Sequence, residues 1–366
     1  MRIEVGSNFW EYQLGGERAF KFWWEKEPFN TAFTKSGRNS LKAICEILNE
    51  ECAEHKVLLP EYLCETEIDP FRESGWDVAF YLIKRDYTID AASLKSMIDS
   101  YKPAVILIQS FYGFNTISPE NEAILKEAQK NGVIIVEDLT QSLFSDVHTD
   151  FADYYTTSLR KFITIPDGGV LFSKKDISSV KIYDDVVPID DTAKKAFDLK
   201  KEYFVTLNPD TKTEFRNKYQ ELADQIGVND KVYAISKLSK EIFDSFDPEI
   251  VMVKRKQNYE LLAGLLQGVS RISLPLPVEC GKAAPLYLPI YFETEEERND
   301  CRAHMAKNAV YCPVIWQKPV HYAVQNPESL YIYEHILCIP IDQRYDEDDM
   351  RRAADVLIEW VSGGQK

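Results

Sequence analysis

The run Val133-Ile134-Ile135-Val136-Glu137-Asp138-Leu139-Thr140-Gln141 decides the fold of this chain. Four consecutive apolar residues read as a strand covered on both faces, the kind found in parallel sheets flanked by helices. The run stops abruptly at Asp138, a charged group that must find a partner if it is buried. A second stretch, Thr156-Thr157-Ser158-Leu159-Arg160-Lys161-Phe162, is followed by Pro166-Asp167-Gly168-Gly169. It sets a lysine beside hydroxyls and ahead of two glycines, which permit close backbone approach.

Helical and extended patterns alternate on both sides of these stretches. Leu41, Ile44, Cys45 and Leu48 recur at helical spacing after Ser36-Gly37-Arg38-Asn39-Ser40, a polar run suited to capping a helix start. Residues 56–60 read as a short buried strand ended by Pro60, 78–82 and 104–108 as further strands, and 91–98 and 121–130 as helices. This alternation predicts an α/β fold, with a mostly parallel sheet covered by helices on both faces. Residues 194–221 are charged and only weakly periodic. Beyond them, 235–246, 250–266, 295–307 and 347–360 read as helices, and 286–292 and 311–316 as strands. The expected organisation is a large domain over 1–250, whose N-terminal segment packs on the other unit, and a smaller C-terminal α+β domain over 251–366.

Such sheets bind ligands beyond the carboxyl ends of their strands. Asp138, residues 60–64 and residues 110–113 all fall there. The combination suits pyridoxal 5′-phosphate (PLP): Asp138 would pair with the protonated pyridine nitrogen, and Lys161 would hold the aldehyde as a Schiff base. Alone, such a lysine is more often a solvated surface charge, and such an aspartate a turn or cap residue. Gln141 could reach the ring oxygen. The hydroxyls of Thr156, Thr157 and Ser158 could bind a phosphate, as could Arg38 and the N–H groups at the 36–40 helix start, Asn39 included. Tyr62, Phe111 and Tyr112 either wall the ring or belong to the core.

Composition narrows the class. A net charge of −16 without a block of like charge argues against a nucleic-acid groove. Seven cysteines without CxxC spacing read as reduced core residues of a cytosolic protein, and five scattered histidines form no metal motif. The first residues carry an acid and no apolar core, unlike a signal peptide, and no apolar run reaches the ~20 residues of a membrane span. A soluble, cytoplasmic protein is expected. No GxGxxG follows an early strand, which disfavours a nucleotide-binding dehydrogenase.

In order, SGRNSL, LPEYLC, SFYG, VEDLTQS, SLRKF and PDGG resemble the DegT/StrS-type sugar aminotransferases, PLP enzymes of the aspartate-aminotransferase fold. VYCPVIW and CIPIDQRYDEDDM resemble the small domain of that family, so the resemblance covers most of the chain. It implies that Lys161 binds the cofactor and carries the proton of the 1,3-shift, that Asp138 holds the pyridine nitrogen, and that Gln141 lies on the ring-oxygen side. Gly37 and Arg38 would give the phosphate backbone contacts, and Thr156 or Ser158 a hydroxyl. It also implies an amino-acid donor, typically glutamate, a keto-sugar acceptor that is usually nucleotide-linked, and a homodimer with sites at the subunit interface. The chain departs from the family in three places. Arg38 stands where threonine is common, Cys64 stands where an aromatic residue often covers the cofactor, and the segment lent to the neighbouring subunit has no clear counterpart between 194 and 233. A lysine at 161 favours transamination over the related sugar dehydratases, which carry histidine there. A lyase on the same fold and a catalytically idle PLP- or sugar-nucleotide-binding homologue are the alternatives.

Overall fold

Seven strands form the central sheet, in the order Asn30–Thr34, Gly169–Ser173, Tyr154–Ser158, Ile134–Asp138, Val105–Gln109, Lys56–Pro60 and Asp77–Tyr81. The structure is a computed structural model and describes residues 3–363 apart from 17, 19 and 185–188. Six of the seven strands run the same way, and Gly169–Ser173 runs against both its neighbours. The mixed α/β fold with a mostly parallel sheet is therefore the one the sequence predicts.

The apolar strands are continuous because each face has its own helices. Along Val105–Gln109, Val105 and Leu107 point into one core with Leu41, Ile44 and Leu48 of the helix Gly37–Glu51 and Ile68 of the helix Glu65–Glu73. Ile106 and Ile108 point the other way, toward Leu94 of the helix Ala91–Tyr101 and Leu125 of the helix Pro119–Lys130. Ser36 caps the Gly37–Glu51 helix by accepting a hydrogen bond from the Asn39 N–H at 3.2 Å.

Residues 194–221 lie in a pair of helices, Ile189–Thr206 and Pro209–Gly227, which pack against each other. Beyond them, Lys237–Ser245 and Pro248–Leu266 are helical. A three-stranded antiparallel sheet of Ile336–Ile339, Leu288–Phe292 and Ile272–Ser273 follows, with the helices Glu295–Lys307 and Glu347–Gly363. Near the N-terminus, Val5–Gly6 pairs in parallel with Val310–Tyr311. The strand expected over 311–316 is confined to Val310–Tyr311; Pro313 has no N–H to donate to a ladder. All seven cysteines are free thiols, Cys52 and Cys64 being half-buried and the others buried. Among the described residues, no helix is long and apolar enough to cross a membrane.

Candidate active site

Parallel strands bring their carboxyl ends to one edge of the sheet. Gln109 pairs with Asp138, and Asp138 with Thr156, so three neighbouring strands present these residues side by side. The glycine pair brings in the helix start from the other side. Gly169 pairs with Thr34, and a Cβ on Gly169 would lie 2.3 Å from the Ser36 carbonyl carbon and oxygen. Only a residue without a side chain lets the 34–37 segment pass so close. The Gly168 N–H donates to the Lys35 carbonyl at 2.7 Å and fixes the crossing. The Gly37–Glu51 helix consequently begins against Ser158.

The result is a cavity of about 280 Å³. Gly37, Arg38, Ser158, Arg160 and Lys161 line it, together with Asp138, Glu67 and Cys64. Asp138 is buried, and its carboxylate accepts the Thr140 N–H at 2.6 Å. Burial raises its pKa, while the Thr140 hydrogen bonds and the Lys161 charge act against that rise. Glu67, in the first turn of its helix, is pushed well above the carboxylate range by burial and by the neighbouring Asp138.

Lys161 ends the short 3-10 turn Leu159–Lys161 and makes no hydrogen bond or ion pair among the described residues. Its side chain is accessible because it borders cavities, with protein around it. Desolvation by that surround pulls its pKa down, Arg160 adds to the effect, and Cys64, Glu67 and Asp138 oppose it. An amine with a depressed pKa is the form that attacks an aldehyde. Arg160 is likewise lowered by burial, and its Nε has no hydrogen-bond partner; Arg38 donates to the Gly227 carbonyl at 3.3 Å while its own Nε lacks one.

The remaining residues singled out in the sequence are not part of the lining of this cavity. Thr156 Oγ1 is buried without a partner. The Gln141 side chain accepts from the Tyr112 N–H at 2.7 Å, leaving its buried Nε2 unpaired. The Asn39 side chain is committed elsewhere, donating to Asn229 Oδ1 and the Lys231 carbonyl and accepting from the Tyr233 N–H. Tyr62, Phe111 and Tyr112 are fully buried core residues, and the aromatic ring that does line the cavity is Trp316. Sequence reasoning passed over Trp316, Glu67 and Arg160. Arg160, adjacent to the candidate lysine, was the one with a visible signal.

The cavity is polarised. Arg38 and Arg160 lie near enough to act on each other's charge, as Asp138 does on Glu67, and Ser158 and the helix start line the same cavity. Together with the cradle that a Cβ on Gly37 would fill and the orphaned Gln141 and Thr156 atoms, this donor set fits PLP, a molecule with a phosphate and a basic ring nitrogen.

The model of the DegT/DnrJ/EryC1/StrS aminotransferase family matches residues 34–357. Among solved structures, the aminotransferase TlmJ from Streptoalloteichus hindustanus is similar over 92% of this chain and 87% of its own, with a TM-score of 0.65 and 14% identity. PseC from Helicobacter pylori, an aminotransferase of pseudoaminic acid biosynthesis, matches over 91% and 87%, with a TM-score of 0.64 and 13% identity. The sugar aminotransferase CalS13 from Micromonospora echinospora matches over 90% and 87%, with a TM-score of 0.63 and 12% identity. No curated protein sequence matches the chain.

Proposed function

The chain belongs to the DegT/DnrJ/EryC1/StrS family of PLP-dependent aminotransferases, and from that premise we propose that it aminates a keto sugar, nucleotide-linked, with an amino acid such as glutamate as donor. In net terms an amino acid and a keto sugar become a 2-oxo acid and an amino sugar. The observation that carries this reading is the position of Lys161, with a lowered pKa, in a cavity lined also by Arg38, Arg160 and Asp138.

When bound, PLP supplies an aldehyde for the lysine and a ring that takes up the electron pair of a broken C–H bond. Asp138 would hold a proton on the ring nitrogen, a positive neighbour that would keep its own carboxyl ionised. Lys161 Nζ would hold the aldehyde and, as a free amine, would serve as the base and acid that moves the proton of the exchange. Arg160, Arg38, Ser158 and the N–H groups opening the Gly37–Glu51 helix hold the phosphate. Support for a keto-sugar acceptor comes from the family. The assembly expected is a homodimer, which sedimentation can test.

The test is a visible absorption spectrum of the protein with added PLP, followed by borohydride and mass mapping, and separately by glutamate. A band trapped on Lys161 and discharged by glutamate is the expected result. A band that persists in Lys161→Ala would sink the assignment of the lysine. Indifference to every amino donor would point to a lyase, and the lack of any band to an idle homologue.

A further inference from the structure

Lys161 lines two cavities. The second, of about 310 Å³, shares Lys161 with the polarised one and no other residue. Its walls carry Arg255, Arg302 and Arg344 besides Lys161, against a single carboxylate, Asp342. In a chain of net charge −16 this is a local reversal of sign.

The three arginines are not equivalent. Arg344 is spent on Asp342, at 2.7 and 2.8 Å, and on the Ser7 and Asn8 carbonyls at 3.1 Å. Arg255 is buried and donates to Gln343 and to the Leu286 carbonyl. Arg302, exposed on the helix Glu295–Lys307, uses only its Nε, donating to the Cys312 carbonyl at 3.2 Å. Its two terminal amines have no partner among the described residues. One planar fork thus belongs to the lining of a cavity that Lys161 also lines, and such a fork suits a carboxylate or phosphate.

We propose that this second cavity receives the anionic group of the substrate, a carboxylate or a phosphate, and that Arg302 is its contact. The proposal rests on the aminotransferase reading only for calling that anion part of a substrate. The cavity and its charge stand independently. Asp342 is already neutralised by Arg344, so an entering anion meets uncompensated positive charge, and the attraction weakens with salt.

Calorimetric titration of PLP-treated protein with glutarate, and separately with inorganic pyrophosphate, tests this. Neither probe carries an amine or a keto group, so only binding is read. We expect one of them to bind, with affinity falling on the order of tenfold or more in Arg302→Gln, less in Arg302→Lys, and falling with added salt. Tighter glutarate identifies a carboxylate subsite; tighter pyrophosphate identifies a phosphate subsite. The proposal is overturned if wild type binds neither probe, or if Arg302→Gln binds both unchanged. It is also overturned if pyrophosphate binding is lost in Arg160→Gln but kept in Arg302→Gln, which places the anion in the other cavity. The visible band, read in the same samples, separates the two claims. A band without Arg302-dependent binding defeats this inference alone, whereas Arg302-dependent binding without a band defeats the aminotransferase reading and leaves the anion subsite.

Discussion

Gly37 and Ser158 face each other so closely that a Cβ on the glycine would stand 3.2 Å from the Cβ of the serine. The helix start and the strand end therefore form one cup, and the space between them is available only because position 37 has no side chain. Gly37→Val should leave the sheet intact but obstruct the cup. We expect its affinity for PLP, measured by spectral titration, to fall at least about tenfold, corresponding to ~1.4 kcal/mol. An unchanged affinity would remove this cup from the phosphate site.

Asp138→Asn separates the two roles of the acid end. The neutral amide keeps the shape and still accepts the Thr140 N–H, but cannot hold a proton on a ring nitrogen. Attachment of the cofactor to Lys161 should survive, while turnover with an amino donor falls on the order of 10²-fold or more, as when a preorganised electrostatic partner is lost. Equal turnover in the two proteins would exclude Asp138 from the reaction.

Glu137, beside Asp138 in the strand, gives a pH signature unrelated to catalysis. It is fully buried, and its carboxyl accepts from the Thr149 N–H at 2.9 Å and hydroxyl at 2.6 Å. Burial raises its pKa from 4.5 to about 8, against the lowering effect of the Thr149 hydrogen bonds. Between those values the folded chain binds the proton and the unfolded chain releases it. Stability from this group is thus full below about pH 4.5 and lost as pH rises toward 8. Urea unfolding across that range should show the decline, and Glu137→Gln should flatten it. A slope unaltered in the variant would mean that other groups set it.

Lys200 is fully buried on the helix Ile189–Thr206, 3.4 Å from Glu4, and donates to the Asn8 carbonyl at 2.7 Å. Lys200→Ala strands the Glu4 carboxylate in the interior, a loss of about 3–5 kcal/mol for a broken buried pair. Lys200→Met with Glu4→Gln should recover much of it. Denaturant midpoints for the single and double variants check this, and a single variant as stable as wild type would refute it.

Lys200 also explains where the sequence was hard to read. Ile189, Ala193, Ala196, Phe197 and Lys200 form the buried stripe of that helix, so one core position reads as surface charge. The pattern over 194–221 looked weakly periodic for this reason. The helix Glu65–Glu73 was hidden similarly: its sequence is mostly polar, contains Pro70, and buries Glu67. By contrast, the strands Lys56–Pro60, Val105–Gln109 and Ile134–Asp138 were legible because burial on both faces leaves an unbroken apolar run. At the site, Asp138, Lys161 and the 36–40 helix start could be found from local context. Trp316 and the sharing of Lys161 between two cavities depend on residues far apart in the chain, which no local pattern encodes.

The helix Pro209–Gly227 ends with Ala223, Ile226 and Gly227 in the wall of the polarised cavity, held by Lys35, which donates to the Val228 carbonyl, and by Arg38. If the cofactor binds in this cavity, docking of this helix end and retention of the cofactor are linked equilibria. A bound cofactor shifts the population toward the docked helix, and a loosened helix raises the rate at which cofactor escapes. Cofactor residence time becomes a gauge of a joint the chain makes with itself.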